Sequence, residues 1–351
     1  TNMANKAETY AKLAENTAKK LTSSLENWTG FLTTVGRLYR YNYHEQLMIY
    51  AQRPDATACA EYDLWNNKMN RYVRRGSKGI ALLDPTGDTL KLRYVFDVSD
   101  TGTRENSRRP YLWDMQEHHK EPILKMLKNK FDVRDNNLSD AFHNIARNMS
   151  KEYYDNNKGD IHYLIENSFL DEYDEDNIQK TFEDAATVST AYTLIKRCGL
   201  DIDEYFEHED FLPVFDFNTA DTVALLGTAV SEQSEKIFRE IDITIIKTER
   251  ERSEEYERNH LQKERGLSDT PYSIDRADQQ RGTESTRQVR QNEETISSGT
   301  QETIIPFSTP IGETIPSPTG NRQDGKQTDG TNHDRLTKST DTTRQVERAD
   351  E

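Results

Sequence analysis

The chain has 351 residues, of which only 33% are hydrophobic, and a formal net charge of −16. So small an apolar share argues against a chain that folds from end to end, and two cysteines, Cys59 and Cys198, without metal-ligand spacing argue against a disulfide scaffold or a zinc module and fit a reducing compartment. No signal-like leader and no run of 18 apolar residues occurs, which predicts a cytoplasmic protein without a membrane partner.

In chain order, residues 4–26 alternate alanine and leucine with lysine and glutamate, which predicts one opening amphipathic helix. Tyr43, Leu47 and Tyr50 share a helical face, and Pro54 predicts that this second helix ends near Gln52. A short helix bearing Leu64 and Trp65 leads into a turn-rich basic stretch, and Ile80–Leu83 read as a short buried strand. Asp84 to Asp88 (DPTGD) form a turn by composition. Beyond it Leu90, Leu92, Tyr94, Phe96 and Val98 alternate with Lys91, Arg93, Val95 and Asp97, the period of a half-buried strand that completes a β-hairpin.

The middle of the chain reads as helical. Ile123, Leu124, Leu127 and Phe131 make one stripe and Leu138, Phe142, Ile145 and Met149 another, Gly199 is placed to end a helix, and Thr219 is placed to cap a long one. From about Arg252 the sequence turns to Ser, Thr, Gln, Asp and Arg, with too little apolar surface to offset chain entropy. The expected fold class is therefore α+β. A small helix-plus-β-hairpin domain (1–110) precedes an acidic all-helical domain (111–260) and a disordered polar tail (261–351).

Charge follows the same division. Residues 1–110 hold 17 Lys+Arg against 12 Asp+Glu, residues 111–250 hold 15 against 30, and residues 251–351 hold 14 against 20. A basic front joined to a strongly acidic middle predicts different partners for the two parts. Arg37, Arg40, Lys68, Arg71, Arg74, Arg75 and Lys78 lie among Tyr39, Tyr41, Tyr43, Trp65 and Tyr72. Cations that follow a phosphate backbone beside rings that stack bases are the ingredients of single-strand binding, and Gly76 would let the backbone approach a phosphate. The candidate contact residues are Arg37, Arg40, Trp65, Lys68, Arg71, Tyr72, Arg74, Arg75, Gly76 and Lys78. The same residues also fit a solvated basic turn beside a small tyrosine-filled core, with Trp65 in that core.

The stretch GRLYRYNYHEQLMIYAQRPDATACAEYDLWNNKMNRYVRRGSKGIALLD followed by LRYVFDVSDT resembles the amino-terminal single-stranded-DNA-binding domain of the ArdC-like antirestriction family. The likeness is greatest to versions that begin large polyvalent proteins of conjugative elements in Gram-positive bacteria. It rests on Gly36-Arg37, the helix containing Asn42, Trp65, the run from Arg74 to Gly79 and Phe96-Asp97, and it covers residues 25–101. Residues 191–232 are similar to the acidic segment that follows such domains. The resemblance implies a DNA-binding accessory segment, single strands preferred, concerned with antirestriction or DNA transfer. It also implies a fragment of a larger protein, since the helicase and methylase modules of such proteins are lacking.

Motifs for catalysis fail. His44-Glu45-Gln46-Leu47-Met48 puts methionine where the second histidine of a zinc peptidase belongs, and His118, His119 and His208 lack a matching ligand set in sequence. Gly320 to Gln327 nearly spells a phosphate-binding loop but has Gln327 in place of Ser/Thr and no preceding strand. No enzyme activity, metal or cofactor is expected. The rival expectation is that residues 111–250 act, binding a basic protein partner or imitating the charge of DNA.

Overall fold

The structure is a computed structural model that describes residues 3–84 and 91–268, with side chains from Lys6 to Leu261. The expected turn after Asp84, the near phosphate-binding loop and residues 269–351 of the expected tail lie outside the described residues.

The opening helix is interrupted. Helix α1 spans Met3–Leu21 and α2 spans Leu25–Arg37, separated by Thr22-Ser23-Ser24, where the Ser24 hydroxyl accepts from the Asn27 N–H and caps α2. Helix α3, Tyr43–Gln52, starts in a capping box of Asn42 and Glu45. Five short strands follow: β1 Cys59–Glu61, β2 Arg71–Val73, β3 Ile80–Asp84, β4 Lys91–Asp97 and β5 Thr101–Thr103. Four long helices follow among the described residues: α4 Glu117–Phe131, α5 Leu138–Leu164, α6 Glu175–Arg197 and α7 Ala220–Ser268. Thr219 caps α7 as expected, its hydroxyl accepting from the Thr222 N–H at 3.2 Å. Helix α7 continues past Arg252, with the side chains from Ser253 to Leu261 exposed; pairs such as Arg250–Glu254 and Lys247–Glu251 give four-residue charge spacing along it.

The sheet has the antiparallel order β1-β4-β3, and β3–β4 is the expected hairpin, with Ile80 opposite Val95 and Asp84 opposite Lys91. Its buried face is the reverse of the one the alternation predicts. Val95 and Asp97 are buried, while Tyr94 is 36% exposed and Leu92 only half-buried. The reason is that both faces are covered. Val95, Cys59, Ile80 and Leu82 pack on Met48 and Ile49 of α3, whereas Phe96, Ala58 and Ala60 pack on Trp65 and Met69. Apolar residues on both sides of β4 therefore blur a period-two signal.

No boundary in the core corresponds to residue 110. Trp28, Phe31 and Tyr43 from the front of the chain share one apolar cluster with Phe182, Phe217 and Leu226, and the Trp28 indole N–H donates to the Ser189 hydroxyl of α6 at 2.9 Å. The first three helices thus bury their apolar faces against α5, α6 and α7, and only the sheet and what lies beyond it project from this helical body.

Candidate nucleic-acid interface

Beyond the sheet lies a π-helical turn, Leu64–Lys68, and a two-stranded antiparallel ribbon of β2 and β5. Trp65 anchors this layer. It is fully buried, and its indole N–H donates to the Phe96 carbonyl at 2.9 Å, so Trp65 is a core residue with no face open to a base. Arg71 is also buried, its Nε–H donating to the Thr101 hydroxyl at 2.8 Å and its guanidinium lying over the Trp65 ring. Burial, then the charges of Arg74 and Arg109, lower its pKa from the ordinary value. Arg71 is a strut of the ribbon rather than a free cation.

The ribbon ends in a turn that exposes charge. The Ser77 N–H donates to the Arg74 carbonyl at 3.2 Å, closing a four-residue turn in which Arg75 and Gly76 are central. Gly76 has φ +89°, a conformation that disfavours any side chain, while the space around it is open. Arg74 prolongs the ribbon, its N–H donating to the Asp100 carbonyl and its guanidinium to the Ser99 carbonyl at 3.1 Å. Asp100 in turn holds Arg53 at 2.5 Å, so its carboxylate is engaged elsewhere.

Tyr72 is 43% exposed. It faces Gly102 across the ribbon, where a Cβ would come within 2.3 Å of the tyrosine ring, and the Arg104 guanidinium lies 5.6 Å from the ring centre. Any larger residue at 102 would displace the ring. Arg104 is itself steadied by bonds to the Arg71 carbonyl (3.1 Å) and the Asn66 side-chain oxygen (2.8 Å).

The pairing of β2 with β5 therefore brings Arg104, Arg108 and Arg109 beside the expected group of Lys68, Arg74, Arg75 and Lys78; all seven are exposed. Among the described residues none of the seven is ion-paired with a carboxylate. The three added arginines were available in the sequence as RENSRR, but nothing local tied that run to residues 71–73. Arg37 and Arg40 are engaged away from this group. Arg37 donates to the Pro54 carbonyl, and Arg40 pairs with Asp242 of α7 at 2.5 Å.

One potential metal-ligand cluster exists among the described residues: His118, His119 and Glu249, distant in sequence and unrecognised there as a set. His118 and His119 Nε2 lie 2.5 and 2.6 Å from Glu249 Oε1. The Gln116 N–H donates to His119 Nδ1 at 3.0 Å, which in the neutral ring places the proton on Nε2, the atom a metal would need. An Arg252 guanidinium nitrogen also stands 2.6 Å from His118 Nε2. The arrangement is a clasp between α4 and α7, and hydrogen bonds from the two imidazoles hold the Glu249 pKa below its ordinary value. In the failed peptidase motif, Met48 is buried against the sheet.

Compared with family models, curated proteins and solved structures, the chain matches none.

Proposed function

We propose that the β2–β5 ribbon and its turn bind single-stranded DNA, in an accessory role in DNA transfer or antirestriction by a mobile element. The observation that carries this reading is the set of seven exposed cations without a carboxylate among the described residues, in a chain of net charge −16. Acids are plentiful enough to pair every cation, yet from Lys68 to Lys78 there are five cations and no acid. Lys68, Arg74, Arg75 and Lys78 meet phosphates, with Arg104, Arg108 and Arg109 extending the track. Tyr72 offers a ring to one unstacked base, an interaction of about 1–3 kcal/mol that a paired and stacked duplex does not offer.

The test is a gel-shift titration of the full chain on a single-stranded oligonucleotide and its duplex across a salt series, because α1–α3 share their core with α5–α7 and residues 1–110 would be deprived of it. Log affinity should fall against log salt by about 0.7 per neutralised phosphate. Salt-insensitive binding, or equal affinity for the duplex, would overturn the reading.

A second reading is favoured by the exposed acids Glu166, Asp171, Glu172 and Asp174 around Phe169, which is 59% exposed, and Tyr173, which is 39% exposed. Apolar rings within an acidic surface suit a basic protein partner. If a Phe169→Ser variant loses capture of a basic protein such as a restriction nuclease while the ribbon is inert on DNA, this second reading takes precedence.

A further inference from the structure

A second cationic feature lies apart from the ribbon residues, in a cleft of about 40 Å³ where the segment after α2, the start of β1, Tyr111–Trp113 and the end of α6 meet. Its walls include Arg37, Arg197 and Trp113. The Arg197 guanidinium stacks on the Trp113 ring with 3.7 Å between its carbon and the ring centre, and it donates to the Trp113 carbonyl. Arg37 is fixed by the Pro54 carbonyl and, at 3.4 Å, the Thr34 hydroxyl. The crossing of α2 and α6 sets the two side by side: Gly36 approaches Arg197 so closely that a Cβ would stand 3.2 Å from the Arg197 Cβ.

Three donors in this wall have no acceptor from the protein: Arg37 Nε, Arg197 Nε and the indole Nε1 of Trp113, itself only 4% exposed. Neither Arg37 nor Arg197 has a carboxylate within ion-pair distance among the described residues. Asp242, whose charge acts on Arg197, gives its Oδ2 to Arg40, and its buried Oδ1 has no partner. Desolvation is the largest influence on both guanidinium groups and lowers their pKa values, against the smaller opposing charges of Asp55 and Asp97 on Arg37 and of Asp114 and Asp242 on Arg197. Half-buried cations without a paired carboxylate gain from an anion that accompanies them. The volume suits such an anion: one water needs at least about 10–15 Å³, so the cleft takes about three waters or one tetrahedral oxyanion.

We propose that the cleft binds one phosphate group, with Arg37 and Arg197 as its cationic walls and Trp113 supplying an indole donor. Arginine suits this role because its planar array of N–H groups matches two phosphate oxygens at once. Tyr111 and the exposed Leu112 at the rim would meet whatever carries the phosphate. The site does not depend on DNA binding by the ribbon.

The test is calorimetric titration of the full chain with inorganic phosphate and, separately, thymidine 5′-monophosphate, at constant ionic strength against chloride. One site per chain is expected, and Arg197→Gln or Arg37→Gln should weaken it at least about tenfold. Tighter binding of the nucleotide would identify a phosphate carried on an organic group, and equal binding a free phosphate. Should either variant misfold, arginine modification by phenylglyoxal read by mass spectrometry decides on the native chain: phosphate should protect Arg197 and leave Arg75 reactive. No heat above the chloride blank, an undiminished affinity in a folded Arg197→Gln chain, or protection of Arg75 in place of Arg197 would each overturn the proposal.

Discussion

In the helical body Arg40 meets Asp242, Arg239 meets Glu235 and Lys180 meets Asp184, whereas on the ribbon Arg75, Lys78, Arg108 and Arg109 face solvent without a carboxylate among the described residues. The same residue types serve two purposes. Several cations in the body tie one helical turn to the next or one helix to another, and Arg40 is withdrawn from water by doing so, whereas Arg37 and Arg197 lack such a partner among the described residues. On the ribbon no acid interrupts the cations from Lys68 to Lys78, and although Glu105 adjoins Arg104, none of the seven cations is ion-paired with a carboxylate among the described residues. The total charge of −16 therefore says little about either region; the pairing of each cation does.

Breaking that contrast should have its largest effect in the body. Arg40→Met leaves Asp242 buried without its partner and should cost about 3 kcal/mol in urea denaturation, much of it recovered when Asp242 is also replaced by leucine. Next is Asp97, which receives the N–H groups of Thr57, Ala58 and Ser99 and the Ser99 hydroxyl. Burial alone would raise its pKa, but these donors together hold it below the ordinary carboxylate value. Because the folded value is lowered, the stability it contributes is complete above the unfolded pKa of about 3.9 and disappears as pH falls through the folded value. Asp97→Ala should cost about 2 kcal/mol at pH 7 and flatten the acid limb of the stability profile; an unchanged limb would refute this assignment.

On the ribbon the effects should move from stability to binding. Gly102→Val displaces the Tyr72 ring and should weaken single-strand affinity about tenfold, matching Tyr72→Ala. Gly76→Ala imposes a left-handed backbone on alanine and should lower stability by about 1 kcal/mol. Smallest of all, Arg75→Gln should leave thermal stability within about 0.5 kcal/mol while DNA affinity falls, and a stability loss as large as that of Arg40→Met would erase the distinction between the two regions.

Much of this was legible in the sequence and the rest was not, for physical reasons. The Arg74–Lys78 turn is local, and Gly76 within it marks a left-handed bend, so both could be read directly. Which way Trp65 and Arg71 face depends on a second layer over the sheet, and β2 and β5, three residues each, are too short to signal their pairing. The placement of Arg104, Arg108 and Arg109 beside the turn therefore had no local signal. The break before α2 was written in Thr22-Ser23-Ser24 but masked by the alanine-rich pattern on its amino-terminal side. Helix α7 runs on past the change of composition near Arg252 because charged side chains at four-residue spacing, as in Lys247–Glu251 and Arg250–Glu254, support a helix that buries little apolar surface. The cleft of Arg37 and Arg197 joins residues 160 positions apart, and no local pattern links them.

The contrast between tied and available cations is tested most directly by the salt dependence of single-strand binding for the native chain and for Arg74→Glu/Arg75→Glu. The double charge reversal should lower affinity by about a hundredfold at low salt and make the log–log slope shallower by about 1.4, two phosphates' worth, with the circular dichroism spectrum unchanged. The same slope and affinity in both proteins would contradict it.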